Sequence, residues 1–304
     1  MVKHVLVVGG AGYIGSRLRQ VLVPTQDYQV ESIDAGWVVV DSYSTNLNCE
    51  DITKEMLEPV DAVILLAGHS SVKSCDGDIR SPWKNNVTNF VNLLQKLGKD
   101  KPLIYASSAS VYGNSEPGEF HVESNADRFS PVNNYDITKH VLDLQAEIAI
   151  LKGYNVMGLR FGTVNGWSPN LRTDVMINAM YHSAQTENQI VIMNKHIGRA
   201  ILGIEDLCRG IIKCLDAPVP GIYNMASFNS TVEEIANTVS QRINVPVIDK
   251  GNTSNVYDFG LNCDLFSRTF SYTFTETPAT IVDSLIARYS EAHVARRDSF
   301  IQYN

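Results

Sequence analysis

Cysteine is scarce in this chain, and long apolar runs are missing from it. The five cysteines are an odd number, and no two of them form a Cys-x-x-Cys pair or a cluster with histidine at metal-ligand spacing. We therefore expect reduced thiols and no metal site. No stretch reaches the ~18 consecutive apolar residues of a transmembrane helix, and the apolar run that follows His4 is too short for a signal peptide. These absences favour a soluble cytoplasmic protein without a membrane partner.

An excess of positive charge is also missing. The 304 residues include 25 Lys plus Arg against 33 Asp plus Glu, which gives a formal net charge of −8. Proteins that bind nucleic acids use clustered basic side chains to displace counterions from phosphates, so this balance argues against a nucleic-acid partner. With 44% hydrophobic residues, the chain is apolar enough for one large or two ordinary domains, and disorder is excluded.

Short apolar runs alternate with amphipathic stretches over the first two-thirds of the chain. The runs predict buried strands at 5–8, 29–33, 62–66, 103–105 and 155–159. Apolar residues at three- and four-residue spacing predict helices over 13–21, 82–97 and 135–151. Right-handed crossovers would place these helices on both faces of a parallel sheet. The pattern predicts a doubly wound α/β Rossmann domain.

The pattern changes after Gly162. Helical periodicity at 174–185, 205–215 and 231–242 alternates with short strands such as 221–224. Residues 250–277 show no clear period and predict a loop with one short helix near 264–268. We expect a cofactor domain over 1–165 that carries the catalytic residues and a smaller, mainly substrate-binding lobe over 166–304, with an approximate boundary that the chain can cross again.

A glycine-rich turn follows the first predicted strand directly. Gly9, Gly12 and Gly15 have the spacing of a dinucleotide fingerprint and lie between a strand and a helix, as that motif requires. The glycines let a pyrophosphate approach the backbone amides at the helix N-terminus. Asp34 ends the second predicted strand, where its carboxylate can accept hydrogen bonds from both adenosine ribose hydroxyls.

Asp34 also bears on the choice between NAD and NADP. Its charge would repel a 2′-phosphate, and the following Ala35-Gly36-Trp37 supplies no arginine to neutralise one. The sequence therefore favours NAD. The alternative interpretation is that Asp34 only caps a loop.

A tyrosine and a lysine lie four residues apart at the start of the third predicted helix. Tyr135 and Lys139 therefore share one helix face, about one turn apart. Because a nearby ammonium favours phenolate over phenol, we expect Lys139 to lower the pKa of Tyr135 and make it a usable general base.

A serine-rich turn, from Ser107 to Gly113, follows the strand at 103–105, at the sheet edge where open α/β sheets bind ligands. A hydroxyl there can hold the oxygen whose proton Tyr135 transfers. Without Tyr135 and Lys139, this segment would be interpreted as an ordinary turn.

Seven motifs occur in one order along the chain. They are Gly9-x-x-Gly12-x-x-Gly15, Asp34, Asp51-Ile52, Leu66-Ala67-Gly68, Asn85-Asn86-Val87, Ser107-Ser108-x-x-Val111-Tyr112-Gly113 and Tyr135-x-x-x-Lys139. In this order they resemble the extended short-chain dehydrogenase/reductase family, most closely its NAD-dependent nucleotide-sugar epimerase and dehydratase group. The later segments 159–166, 199–206 and 221–224 fit the same family.

The resemblance implies a role for each motif. Ser108, Tyr135 and Lys139 would form the catalytic group, with Tyr135 as acid and base, Lys139 on the nicotinamide ribose and Ser108 on the sugar oxygen. Thr163 and Arg199 would join Ser108 and Tyr135 in binding a nucleotide sugar, Arg199 through the diphosphate. The implied NAD contacts are Gly9, Gly12, Tyr13, Ile14, Gly15, Asp34, Asp51, Ile52, Leu66, Ala67, Gly68, Asn85, Ser107, Tyr135 and Lys139.

The implied substrate site departs from the family in three places. Thr163 stands where many epimerases have asparagine, and Gly203 replaces a frequent histidine. The second arginine of the diphosphate clamp is not evident around 256–261, where Arg268 is the nearest candidate. Arg172 would supply a compensating charge.

The residues after Ser108 bear on the reaction. Similar dehydratases carry an Asp-Glu pair there and similar decarboxylases a Glu, whereas this chain has Ala109-Ser110. With one acid/base, the simplest reaction is epimerisation through a transient keto sugar, with NAD taking and returning the hydride. A keto-sugar reductase would use the same residues, and a cofactor-sensing protein without catalysis is a third alternative. The helices over 82–97 and 135–151 resemble those that pair two subunits in this family, so we expect a homodimer.

Overall fold

The computed structural model describes residues 2–35, 44–114, 119–128, 133–253 and 257–294. Gly36, Trp37 and Val256, which entered the arguments above, lie outside the described residues. The strands are β1 (Lys3–Val8), β2 (Tyr28–Asp34), β3 (Thr45–Asn46), β4 (Ala62–Leu65), β5 (Leu103–Ser108), β6 (Phe120–His121), β7 (Val156–Phe161), β8 (Thr163–Asn165), β9 (Asn170–Leu171), β10 (Ile190–Ile192), β11 (Gly198–Gly203), β12 (Gly221–Met225), β13 (Phe228–Thr231), β14 (Val247–Asp249), β15 (Gly260–Leu261) and β16 (His293–Val294). The helices are α1 (Tyr13–Leu22), α2 (Lys54–Leu57), α3 (Arg80–Trp83), α4 (Asn89–Leu97), α5 (Asn134–Leu151), α6 (Met176–Glu187), α7 (Ile204–Asp216), α8 (Val232–Ile243), α9 (Asp264–Phe270) and α10 (Pro278–Arg288).

A seven-stranded sheet in the order β12-β7-β5-β4-β1-β2-β3 forms the centre of the fold. Every pairing in it is parallel, which confirms the predicted doubly wound α/β architecture. From β1, the strands that follow first are added on one side (β2, β3) and the later ones on the other side (β4, β5, β7, β12). The point between β1 and β4 is therefore a topological switch point, which is where open α/β sheets bind ligands.

Helices cover both faces of this sheet, which explains why its strands are apolar on both sides. Val5 and Val7 of β1 pack into the core on the side of α1 and α7, whereas Leu6 and Val8 pack on the side of α4 and α5. All six residues of β7 are buried. The uninterrupted apolar runs in the sequence are thus the central strands of a covered sheet.

The helix predicted over 82–97 is interrupted. A π-helical turn over Lys84–Thr88 separates α3 from α4. Such turns widen the helix locally and are common at functional sites. This one turns Asn85 and Asn86 toward the loop that follows β4.

A second, three-stranded sheet has the order β13-β11-β8, with α6, α8 and α10 packed together beside it. The short helix predicted near 264–268 is confirmed as α9. Strand β11 and helix α10 were not predicted. Among the described residues, no helix has the length and apolar character needed to cross a bilayer.

A buried ion pair joins α5 to the central sheet. Arg160 of β7 donates from Nε to the Asp143 carboxylate of α5 over 2.7 Å, and both side chains are 2% exposed. The same guanidinium donates to the Tyr112 hydroxyl over 2.8 Å, and Tyr105 donates to the other Asp143 oxygen over 2.8 Å. The pair is therefore fully enclosed by hydrogen bonds, which is the condition for a buried charge pair to be tolerated.

Candidate active site

The glycine-rich turn is packed too tightly for any other residue at two of its positions. A Cβ on Gly9, whose φ is +91°, would lie 2.5 Å from the Ala67 backbone nitrogen. A Cβ on Gly15 would lie 2.2 Å from the Gly9 carbonyl oxygen. Gly12, by contrast, is partly exposed at the start of α1. The backbone N–H groups of the first helical turn beside it have no carbonyl acceptor within the helix. The turn thus presents a helix N-terminus suited to a pyrophosphate.

Asp34 is anchored to this turn by its side chain. Its carboxylate accepts hydrogen bonds from the Ala11 amide at 2.9 Å and the Ala35 amide at 2.8 Å. Burial raises the pKa of Asp34, while these backbone hydrogen bonds oppose the rise. Each carboxylate oxygen keeps further lone pairs for a ribose hydroxyl. These residues fit an adenosine ribose without a 2′-phosphate, as NAD requires.

The side chain of Tyr13 points into the core. Its ring is buried, and its hydroxyl donates to the Gly166 carbonyl over 2.8 Å and accepts from Asn178 over 3.2 Å. Only the backbone of Tyr13 and Ile14 can therefore meet a phosphate. The Ile52 side chain likewise lies in the core, fully buried, whereas the neighbouring Asp51 is exposed.

The loop after β4 is held by the π-helical turn. Asn86, which is 3% exposed, accepts from the His69 amide at 2.8 Å and donates to Thr138 of α5 at 2.9 Å. Its neighbour Asn85, the residue predicted to contact NAD, is partly exposed and contacts the His69 ring at 3.4 Å. Asn86 thus holds the backbone of His69, which follows Leu66-Ala67-Gly68, a role that the sequence motif did not distinguish from that of Asn85.

The three predicted catalytic side chains lie together at the carboxyl edge of the sheet. Ser107 and Ser108 are the last residues of β5 rather than part of a turn, and Ser108 lies near enough to the Tyr135 hydroxyl to lower its pKa. Lys139 is buried one turn along α5, with its ammonium 5.9 Å from the centre of the Tyr135 ring. Ser107 is buried, and its hydroxyl has no partner within the described part of the chain, which leaves it for a ligand.

The expected lowering of the Tyr135 pKa by Lys139 is wrong for this structure. Burial raises the pKa of Tyr135 to about 12, although a hydrogen bond with Ser108 and the charge of Arg172 both lower it. Lys139 instead donates to the Ala106 carbonyl over 2.8 Å. Burial also lowers the pKa of Lys139 to about 8. The low dielectric that surrounds both groups outweighs their mutual effect.

The predicted substrate residues come from two adjacent strands of the three-stranded sheet. Thr163 of β8 pairs with Ile201 of β11, the strand that carries Arg199. Arg199 is partly buried, and its Nε has no partner among the residues that the structure describes. Arg172 forms a two-bond ion pair with Asp174, at 3.0 Å for each bond. Arg268 is exposed on α9, a helix that packs on β12.

Glu276 takes the space that a side chain at Gly203 would need. A Cβ on Gly203 would lie 1.9 Å from Glu276 Oε2, and the same oxygen accepts from the Asp206 amide at 2.9 Å. Burial, together with the charges of Asp206 and Glu205, raises the pKa of Glu276 from an ordinary 4.5 to about 7. The missing histidine is thus replaced by a buried carboxyl group from another part of the chain.

This carboxyl group makes stability depend on pH. The folded protein holds a proton on Glu276 more tightly than the unfolded chain does, so stability falls as pH rises from about 4.5 to about 7.

Glu276→Gln keeps the acceptor for the Asp206 amide and removes the charge. We expect it to raise the free energy of unfolding at pH 8 by up to about 3 kcal/mol, with little effect at pH 5. Urea unfolding at both pH values measures this, and Glu187→Gln on an exposed site is the control. An equal effect at both pH values would contradict the assignment.

Comparison with known proteins links this site to a family. The family model described as "NAD dependent epimerase/dehydratase family" matches residues 5–226. An ADP-L-glycero-D-manno-heptose-6-epimerase from Pseudomonas paraeruginosa is 27% identical over 271 residues, which cover 80% of each chain. A UDP-glucose 4-epimerase from Lactobacillus helveticus is 31% identical over 180 residues, or 54% of this chain and 52% of the relative.

Solved structures show the same fold. The NAD-dependent NDP-hexosamine 5,6-dehydratase TunA superposes with a TM-score of 0.84 at 19% identity, over 96% of this chain and 99% of its own. The UDP-glucuronic acid 4-epimerase from Bacillus cereus, solved with UDP-glucuronic acid and NAD, gives a TM-score of 0.79 at 19% identity, over 92% and 97% of the two chains. At this identity the likeness concerns the architecture.

Proposed function

Because the chain belongs to the NAD dependent epimerase/dehydratase family, we propose that it is an NAD-dependent epimerase of a nucleotide sugar. The observation that carries the proposal is the composition of the catalytic edge. Ser108 and Tyr135 lie near each other there, since Ser108 lowers the pKa of Tyr135, and Ala109 and Ser110 stand where a second acid would be needed for dehydration. One acid/base pair suffices to remove a hydroxyl proton and later return it.

In the proposed mechanism, Tyr135 takes the proton of the sugar hydroxyl that becomes a ketone and returns it at the end. Ser108 holds the same sugar oxygen, and Lys139 would hold a ribose hydroxyl of the cofactor and add positive charge near the phenolate. NAD, when bound, supplies the acceptor and donor of the hydride. Arg199, with its unpartnered Nε, would bind the substrate diphosphate, and Thr163 would face the sugar.

The proposal is tested by following a panel of nucleotide sugars with catalytic NAD by proton NMR. Conversion of one sugar to its epimer without consumption of NAD is the expected result. Conversion of a keto sugar only with stoichiometric reduced cofactor would instead identify a reductase. No conversion in either assay, with NAD still bound, would favour a cofactor-sensing protein.

We further propose a homodimer in the cytoplasm, paired through α5. Leu144, Ile148 and Leu151 lie at four- and three-residue spacing on one face of this helix and are 41%, 46% and 88% exposed. Trp83 of α3, which packs beside α5, is 43% exposed. Such a stripe is suited to pairing with the same stripe of a second copy.

Ile148→Glu should convert the dimer to a monomer, because each interface would bury two unpaired charges. Light scattering after size-exclusion chromatography measures the mass. Leu265→Glu, which changes an exposed leucine of α9 in the second lobe, serves as the control and should leave the dimer intact. A monomeric parent protein would refute the proposed interface.

A further inference from the structure

A tyrosine of the second lobe contacts the first turn of the catalytic helix. Tyr257 donates from its hydroxyl to the Asp136 carboxylate over 2.7 Å and accepts from Asn133 over 2.7 Å. Asn133 donates to the same Asp136 oxygen over 2.7 Å and caps α5 by accepting from the Asp136 amide. Asp136, which is fully buried, follows Tyr135 directly in the chain. The second lobe therefore contacts the residue next to the proposed base.

The segment that carries Tyr257 also reaches the proposed substrate residues. Asp258 accepts from the Gly198 amide over 2.8 Å, next to Arg199, and its own amide donates to Asn114 over 3.0 Å. Its carboxylate acts on the Arg199 charge. The family pattern leads one to expect a second arginine in this stretch, whereas the described residues 257–261 contain Tyr257 and Asp258. These two residues connect strand β11 to the start of α5.

Several groups act on the Tyr135 hydroxyl, and Asp136 is the one that Tyr257 contacts. The Asp136 charge raises the pKa of Tyr135, so a hydrogen bond that neutralises part of this charge favours the phenolate. Tyr257 itself interacts electrostatically with Tyr135. The other groups that act on Tyr135 or lie against it are Ser108, Arg172, Cys75 and Lys139.

We infer that Tyr257 is a positioning residue that, through Asp136, sets the orientation and basicity of Tyr135. This inference rests on the proposed function, since it assigns Tyr135 as the base. Through the hydroxyl of Tyr257, the position of segment 257–259, which lies beside Arg199, affects the orientation and the pKa of Tyr135. When Arg199 binds a substrate, Tyr135 is thereby already oriented to accept the substrate proton.

The test compares Tyr257→Phe and Asp136→Asn with the parent, all loaded with NAD. Tyr257→Phe removes one hydroxyl and keeps the ring that packs edge-on against Phe259. We expect kcat to fall about tenfold with KM within about twofold, and the acid limb of the pH profile to rise by about half a pH unit. Asp136→Asn should move that limb in the opposite direction. Tyr154→Phe, beyond the C-terminal end of α5, is the matched control.

A second readout does not depend on the substrate. In protein labelled with 13C at tyrosine Cζ, the Tyr135 resonance, assigned by its loss in Tyr135→Phe, should move in Tyr257→Phe and stay in Tyr154→Phe. An unmoved resonance would overturn the inference. So would a fall in melting temperature with an unchanged acid limb, since that is a structural role alone. If the parent protein converts no sugar, the proposed function fails. The Tyr135 resonance then tests the Tyr257 inference by itself: a shift in Tyr257→Phe supports it, and an unchanged resonance refutes it.

Discussion

Tyr135→Phe should reduce turnover by at least about a thousandfold while changing the NAD dissociation constant by less than about threefold. The substitution removes the oxygen that exchanges the substrate proton and keeps the ring, which lies beside Lys139. General acid-base groups typically contribute 10²–10⁴-fold, and the proposed site has no second group to replace this one. Steady-state kinetics on the converted sugar and calorimetric titration with NAD measure the two quantities.

Two comparisons make this result specific. Tyr154→Phe removes a phenol that lies against Lys99 beyond the end of α5, and turnover should stay within about twofold of the parent. Ser108→Ala should be intermediate, because it removes one hydrogen bond to the same oxygen and leaves the base. Retention of full activity in Tyr135→Phe would remove the proposed mechanism.

Loss of either partner of the Arg160–Asp143 pair should cause the largest change in stability. Asp143→Ala leaves the guanidinium buried with only neutral acceptors, and such changes cost about 3–5 kcal/mol. For a protein that is marginally stable, this is a large part of the free energy of unfolding. Chemical unfolding followed by circular dichroism measures the loss.

The double variant Arg160→Met with Asp143→Leu separates charge from packing. It removes both charges, so we expect it to be more stable than either single variant. The exposed pair Arg242–Asp283, with side chains 46% and 49% exposed, is the matched control, and Asp283→Ala should cost at most about 1 kcal/mol. Equal losses at the two pairs would show that burial does not decide the cost.

The central sheet was predictable because burial on both faces leaves an unmistakable pattern. Runs such as Val5–Val8 are apolar at every position, and helices such as α5 show one buried stripe. The π-helical turn before α4 was not predictable, since its residues continue the same apolar periodicity. Strand β11 was missed because its apolar run, residues 200–202, is only three residues long and lies between Arg199 and Gly203.

The residues of the candidate site were predictable, whereas their pKa values and long-range contacts were not. The motifs placed Ser108, Tyr135 and Lys139 in one group, which the structure brings together. The pKa of Tyr135 depends on burial and on where the Lys139 ammonium is held, and neither is encoded in a four-residue spacing. The Tyr257–Asp136 contact joins residues 121 positions apart, which no local pattern reveals.

The position of β12 at the edge of the sheet has a consequence for biosynthesis. Its neighbour β7 ends at Phe161, but β12 begins only at Gly221, after the chain has built much of the second lobe. At 5–20 residues per second, a ribosome needs roughly 3–12 s to cover that interval. During this time β7, whose six residues are all buried in the folded protein, is an open edge that can pair with other chains. A nascent chain of this protein is therefore most in need of a chaperone between these two strands.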